Sequence, residues 1–134
     1  NRKGDCYGYR IWRLKMTAPN IVNMTSIQGE TAVAVATTDF ADLIENVAAS
    51  NKVYKINSLS ASNVSTIESV DVSVDLVRSS NSYAVVRNLS IPTTSSLIAI
   101  SKDHSLYLQE GDKLQVKASQ TTSIEIICSY EVIS

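Results

Sequence analysis

The stretch Val70-Asp71-Val72-Ser73-Val74-Asp75-Leu76-Val77 places an apolar residue at every second position from Val70 to Leu76. Side chains of a β-strand point alternately to opposite faces, so the pattern predicts a half-buried strand with Asp71, Ser73 and Asp75 facing water. The run Ser79-Ser80-Asn81-Ser82 follows as a turn, and residues 83–91 are predicted to return as the partner strand of a hairpin.

Similar alternation recurs through the rest of the chain. Further strands are predicted at 21–27, 31–37, 53–59, 97–100, 106–108, 114–118 and 124–132, with Gln28-Gly29-Glu30 as the turn between the first two. Residues 38–46 fit a short helix by their apolar spacing, although 43–48 fits a strand equally well. About eight strands at intervals of roughly ten residues predict an all-β chain, folded as an antiparallel β-sandwich or jelly roll with an N-terminal arm.

Composition agrees with this fold and limits the classes of function. The 134 residues suffice for one domain, 37 of them are β-branched (Val, Ile or Thr), and the net charge is only -1. The longest apolar stretches are far shorter than the roughly 20 residues that a membrane-spanning helix requires. Cys6 and Cys128 allow one disulfide, but two cysteines 122 positions apart do not make a disulfide framework, so we expect free thiols.

Charge divides the chain into a basic arm, residues 1–15, and an acidic β-sandwich domain, residues 16–134. The arm carries five bases and one acid, and the domain carries seven bases and twelve acids. An arm of this kind can lie on the acidic body of a neighbouring copy, and its aromatic residues could also stack on nucleic acid. We rank protein docking above nucleic acid. The expected assembly residues are Arg2, Lys3, Tyr7, Tyr9, Arg10, Trp12, Arg13 and Lys15.

Residues suited to catalysis or metal binding are sparse. His104 is the single histidine, and neither a nucleophile elbow nor a glycine-rich oxyanion turn accompanies it, so we expect a solvated loop residue. Carboxylates in turns, at Asp103, Glu110 and Asp112, could hold calcium, but they lack the spacing of an EF-hand. We therefore predict no catalytic residues, no cofactor, no metal site and no enzymatic activity.

Residues 92–134 resemble small virion structural proteins of tailed phages, especially phages of marine bacteria. The shared features are a Ser-Leu-rich strand at Leu97–Ile100, the turns Ser101-Lys102-Asp103 and Tyr107-Leu108-Gln109-Glu110-Gly111-Asp112, the strand Leu114–Ala118 and the ending Glu125–Ser134. Met16–Asn23, Lys55-Ile56-Asn57 and Val74–Ser80 are also similar, so the likeness covers most of residues 16–134. The chain differs from that family in two respects. It has Gln109 where the family usually has an acidic residue, and it has 15 residues ahead of Met16.

The resemblance implies a β-rich structural protein located in the virion and made in the host bacterial cytoplasm. It brings no catalytic residues. The first hypothesis is a capsid decoration or cement protein that binds a major capsid protein and forms a homo-oligomer, for example a trimer. The alternative is a binding module on a tail, neck or fibre that contacts a host glycan or another tail protein.

Overall fold

The computed structural model describes residues 25–134, which form an antiparallel β-sandwich. Within this range no helix is long and apolar enough to span a bilayer. A short 3-10 turn, Lys102–His104, separates the sixth and seventh strands. The nine strands are β1 (Ile27–Val35), β2 (Ala41–Glu45), β3 (Val53–Asn63), β4 (Val70–Arg78), β5 (Asn81–Ile91), β6 (Ser96–Ile100), β7 (Leu106–Leu108), β8 (Lys113–Ala118) and β9 (Ile124–Ile133).

The strands form two sheets with a nested topology. Sheet A has the order β1-β9-β3-β6, with β7 on the same edge of β3 as β6, and sheet B has the order β2-β8-β4-β5. The antiparallel pairs β4–β5, β3–β6/β7, β2–β8 and β1–β9 nest inside one another, as if one long hairpin had been rolled up. This is the arrangement of a jelly roll, and the prediction of an all-β sandwich is confirmed.

The core lies between the sheets and is built by the alternation that the sequence displays. The inward residues of β4, β8 and β9 are almost fully buried, among them Val72, Leu114 and Ile126. Complete burial of an aliphatic side chain contributes about 1.5–3 kcal/mol, so these central strands stabilise the sandwich most. The cluster also contains Ile56, Leu59, Val70, Val74, Ile91, Ile100, Leu108, Val116, Ala118, Ile124 and Cys128.

The hairpin predicted from residues 70–91 is present and tighter than expected. Only Ser79 and Ser80 separate the strands, because β5 already begins at Asn81. Both serines have positive φ, 53° and 65°. Two-residue turns with positive φ at both central positions match the right-handed twist of the flanking strands, although Asn-Gly is the usual sequence.

The predicted turn at Gln28-Gly29-Glu30 is wrong. These residues lie inside β1 and pair in unbroken register with Val132, Glu131 and Tyr130 of β9. A single glycine does not interrupt an antiparallel edge strand when the neighbouring strand supplies continuous hydrogen bonds. The predicted strand at 21–27 falls on residues outside the described range except for its last members.

The short helix considered for residues 38–46 is also wrong. The alternative, a strand at 43–48, is the correct type of element, but the strand lies at Ala41–Glu45. β2 pairs with β8 through Ala41 opposite Val116 and Ile44 opposite Leu114. An extra residue, Leu43, forms a bulge between these pairs. This bulge explains the apparent helical spacing, because it breaks the period of two that a regular strand would show.

Candidate assembly surfaces

The two sheets have four edges, one of them shared by β6 and β7, and an edge strand presents unpaired backbone groups that can recruit another chain. β1 and β2 lie side by side on one flank, and β5 and β6 lie on the other. Within residues 25–134, β1 pairs only with β9. The four edges differ in whether they are suited to accept a further strand.

Three of the edges carry features that discourage pairing. β2 has five residues, a bulge, and the acids Asp42 and Glu45. β5 has two register shifts against β4, and Asn88 beside one of them has a φ of 49°. β6 and β7 are short and are separated by the 3-10 turn. Natural proteins use such short strands, charges and bulges to blunt their edges.

β1 differs from these three edges. Its nine residues pair with β9 without a register shift, so the strand is regular along its whole length. Its single charged residue, Glu30, accepts a hydrogen bond from Tyr130 Oη at 3.0 Å, and Tyr130 in turn stacks on Tyr54. A long, regular edge with little charge is a site for strand addition.

The outer face of sheet A adds apolar surface beside this edge. Val33 on β1 is 73% exposed, its neighbour Ile127 on β9 is 49% exposed, and Ile98 on β6 is 68% exposed. The register places Val33, Ile127, Ser60 and Ile98 in one row across the sheet. Exposed apolar residues grouped in this way mark contact sites more often than the same residues scattered singly.

Hydroxyl-bearing side chains occupy much of the rest of this face, together with the charged residues Lys55, Glu125 and Glu131. A shallow groove of about 450 Å³ runs along β1 and β9, between Val33, Val35, Glu125 and Ile127. We name this region, from β1 to β6 on the outer side of sheet A, the apolar face. Its hydroxyl-bearing residues are Thr31, Ser58, Ser60, Ser62, Ser96 and Ser129.

Sheet B has an outer face of a different character, in which charged groups satisfy one another. Arg87 donates to Asp75 at 2.8 Å, and Lys113 lies 3.5 Å from Asp42. The guanidinium of Arg87 and the ammonium of Lys117 both lie over the Phe40 ring, at 5.7 Å and 5.4 Å from its centroid. Such contacts between cations and rings hold the long side chains against the sheet.

The prediction that Ser73 and Asp75 face water requires a correction. Both point outward from sheet B, yet both are buried, with Asp75 only 2% exposed. β4 lies between β8 and β5, and the side chains of Arg87 and Asn88 from β5 cover its outer side. The alternation correctly predicted the side of the sheet to which Ser73 and Asp75 point. It could not show that long side chains of the neighbouring strand would cover them.

Two of the three turn carboxylates considered for calcium, Glu110 and Asp112, are also engaged. Asp112 is 1% exposed and accepts two hydrogen bonds from Arg78, at 2.9 Å and 2.6 Å, and one from the Gln109 N–H. The hydrogen bond to Asp112 raises the pKa of Arg78 above its ordinary value. Glu110 accepts a hydrogen bond from the backbone N–H of Asn51. Residues 25–134 contain no group of three His, Cys, Asp or Glu side chains placed to bind a metal.

A small polar cavity of about 300 Å³ lies on the outer side of sheet B. Ser73 Oγ and Asn88 hold each other through reciprocal hydrogen bonds, and the backbone of Asp71 is bonded in the same way to Ser119. These bonds fix the positions of the Asn88 amide, the Ser73 and Ser119 hydroxyls and the Asp71 backbone around one space. The cavity is lined by Thr38, Asp71, Ser73, Asn88, Lys117, Ala118 and Ser119.

The remaining candidate residues lie apart from these surfaces. His104 is exposed in the 3-10 turn, as expected. Cys128 is a free, fully buried thiol on the inner side of β9, and burial raises its pKa to about 12. The pKa of Tyr130 is raised to about 12, mainly by burial and to a smaller extent by the hydrogen bond to Glu30.

The eight assembly residues predicted in the basic arm, Arg2 to Lys15, lie outside the described residues, as does Cys6. The apolar face was not singled out from the sequence. Its signal was Ile127, an apolar residue between the polar residues Glu125 and Ser129 on the outer side of β9, together with the valines of β1. Their grouping depends on the pairing of strands that are distant in the chain.

Comparison with known proteins gives no family. No protein-family model matches the chain, and no curated protein is similar to it. A solved structure described under the words "Bacillus endospore appendages form a novel family of disulfide-linked pili" has a TM-score of 0.49 and 14% sequence identity, covering 87% of this chain and 95% of that chain. What the chain does must therefore be inferred from its own residues.

Proposed function

We propose that the chain is a non-enzymatic structural subunit, which joins other proteins through β1 and the apolar face. The observation that supports this most is the contrast among the sheet edges. β2, β5 and β6/β7 are short, bulged or charged, whereas β1 is long, regular and flanked by exposed apolar side chains. Among residues 25–134 nothing pairs with the outer edge of β1, and such an edge suits the addition of a strand from another chain.

The assembly that we propose is the virion of a tailed phage, with the chain decorating or cementing the capsid. The likeness of residues 16–134 to small phage virion proteins supports this choice. A cement protein stabilises a shell through modest contacts that are repeated by symmetry, so it needs contact surface more than a reactive site. The major capsid protein is the proposed partner.

We assign the basic arm, residues 1–15, a second contact in the same assembly. Its net charge of +4 complements the -5 of residues 16–134, so an arm from one copy is attracted to the body of the next. Attraction between separated charges weakens as salt screens them, whereas burial of the apolar face does not depend on charge. The two contacts can therefore be told apart by their salt dependence.

Binding to purified capsids tests the proposal. The variant Val33→Ser/Ile98→Ser removes two exposed apolar side chains from the apolar face. Each contributes about 1 kcal/mol when half its surface is buried, so we expect the double variant to bind roughly thirtyfold more weakly in a sedimentation assay. The matched control is Val64→Ser/Ile67→Ser, which removes two exposed apolar residues from the loop between β3 and β4. Equal binding by both variants would remove the apolar face from the proposal.

The polar cavity on sheet B favours a second candidate function, a tail or fibre module that binds a glycan. Its carboxylate, amide and hydroxyl groups offer both acceptors and donors for sugar hydroxyls. Saturation-transfer NMR with free monosaccharides would detect such binding. Signal lost in Asp71→Asn and retained in Asp103→Asn would support this candidate. Antibody labelling at the tail end of intact virions would then favour it over capsid decoration.

A further inference from the structure

The proposed function leaves open which strand pairs with β1. We propose that it is β1 of a second copy, arranged antiparallel about a twofold axis at Thr31. This inference rests on the proposed function, because it names the partner of the same edge. The pairing would join two copies of sheet A into one continuous sheet.

The alternation of β1 restricts the possible registers. Ala32 and Ala34 point toward the core, and Val33 and Val35 point outward. Residues that face each other across a pair of strands lie on the same side of the sheet, so a symmetric pairing must be centred on a residue. Centring on Thr31, the middle residue of β1, is the register that engages all nine residues of both strands.

Charge and side-chain size favour the same register. Centring on Glu30 would place two carboxylates opposite each other, whereas centring on Thr31 places Glu30 opposite Ala32 of the second copy. Val33 then faces Gly29, where a side chain would find open space within 4 Å. Ile27, 53% exposed, faces Val35, 50% exposed.

The other edges do not offer an equivalent partner. Pairing β1 with β5 would bring it against two bulges, and β2 and β6 are five residues long against nine for β1. A strand pairs best with a partner of matching length and regularity, and β1 itself is that partner. The twofold pairing predicts a dimer or another even-numbered oligomer, in place of the trimer considered from the sequence.

Cysteine cross-linking in the full chain tests the pairing. Cys6→Ser is present in every variant, so that the introduced cysteine and the buried Cys128 are the thiols present. Residues opposite each other in an antiparallel pair have Cα atoms about 4.5–5.5 Å apart, which a disulfide can bridge. We expect Thr31→Cys to give a cross-linked dimer on oxidation. Thr37→Cys, an exposed threonine just beyond β1, should give none, because two copies of it would lie about 40 Å apart.

A mixture of Gly29→Cys and Val33→Cys chains tests the register independently, and also serves if Thr31→Cys does not fold. We expect heterodimers from the mixture and few cross-links from either chain alone. A native chain that sediments as an oligomer while neither pair cross-links overturns the β1 pairing and leaves the proposed function standing. A native chain that sediments as a monomer but still binds capsids also overturns the β1 pairing and leaves the proposed function standing. A monomer that binds no capsid overturns both.

Discussion

At the scale of single residues, polar side chains in this sandwich are buried where they have partners. Asp75 and Asp112 are almost fully buried, and each is bonded to an arginine that is itself about half exposed. Within the described residues, no buried polar side-chain atom lacks a hydrogen-bond partner. Asp75, Glu110 and Asp112, three of the carboxylates that could have suggested chemistry, are thus engaged in holding strands and turns together. The sequence shows their positions but not these partners.

Cys128 gives a pH-dependent prediction at this scale. Burial raises the pKa of its thiol from 9.0 to about 12 in the folded chain, so between these values the unfolded chain binds fewer protons and stability falls as pH rises. Cys128→Val keeps the volume and removes the thiol, so we expect a smaller loss of stability between pH 9 and 11. Urea unfolding of the native chain and of Cys128→Val at pH 9 and at pH 11 measures these losses in the free energy of unfolding. The raised pKa of Tyr130 acts in the same direction in both chains. Parallel losses in the two chains would contradict the prediction.

At the scale of elements, alternation predicted the central strands better than the edge strands. β4, β8 and β9 lie inside their sheets and show an unbroken period of two over most of their length. β1 and β2 lie at edges, where a glycine or a bulge costs little, and there the pattern misled. The apolar face was equally hard to predict, because Val33, Ile127 and Ile98 become neighbours only through pairing between distant strands.

The β4–β5 turn gives a prediction about this element. Positive φ costs residues other than glycine about 1 kcal/mol or more, and both Ser79 and Ser80 adopt it. Ser79→Asn/Ser80→Gly supplies the preferred turn sequence, so we expect unfolding in urea to require about 1 kcal/mol more. Ser101→Gly is the control, because Ser101 has a φ of -129° and glycine brings no relief there. Equal effects of the two changes would show that the turn is not strained.

At the scale of the whole molecule, the outer faces of the two sheets differ in the side chains that they expose. Sheet B presents charged groups that pair with one another, and sheet A presents the apolar face and the β1 edge, which no other strand of residues 25–134 covers. The sequence indicated an assembly protein from its charge division and its few chemically reactive residues. The structure adds the surface through which we propose that the chain assembles, namely β1 and the apolar face.

Hydrogen–deuterium exchange on the capsid-bound chain tests this account most directly. We predict that the backbone amides of residues 27–35 exchange more slowly in the bound chain than in an isolated chain diluted until it sediments as a monomer, because strand addition at β1 would pair the edge groups that residues 25–134 leave unpaired and cover the apolar face. Amides of β5, on the opposite flank, should exchange at similar rates in both states. Unchanged exchange in β1, with new protection confined to β5 or to the loops around the polar cavity, would contradict the account.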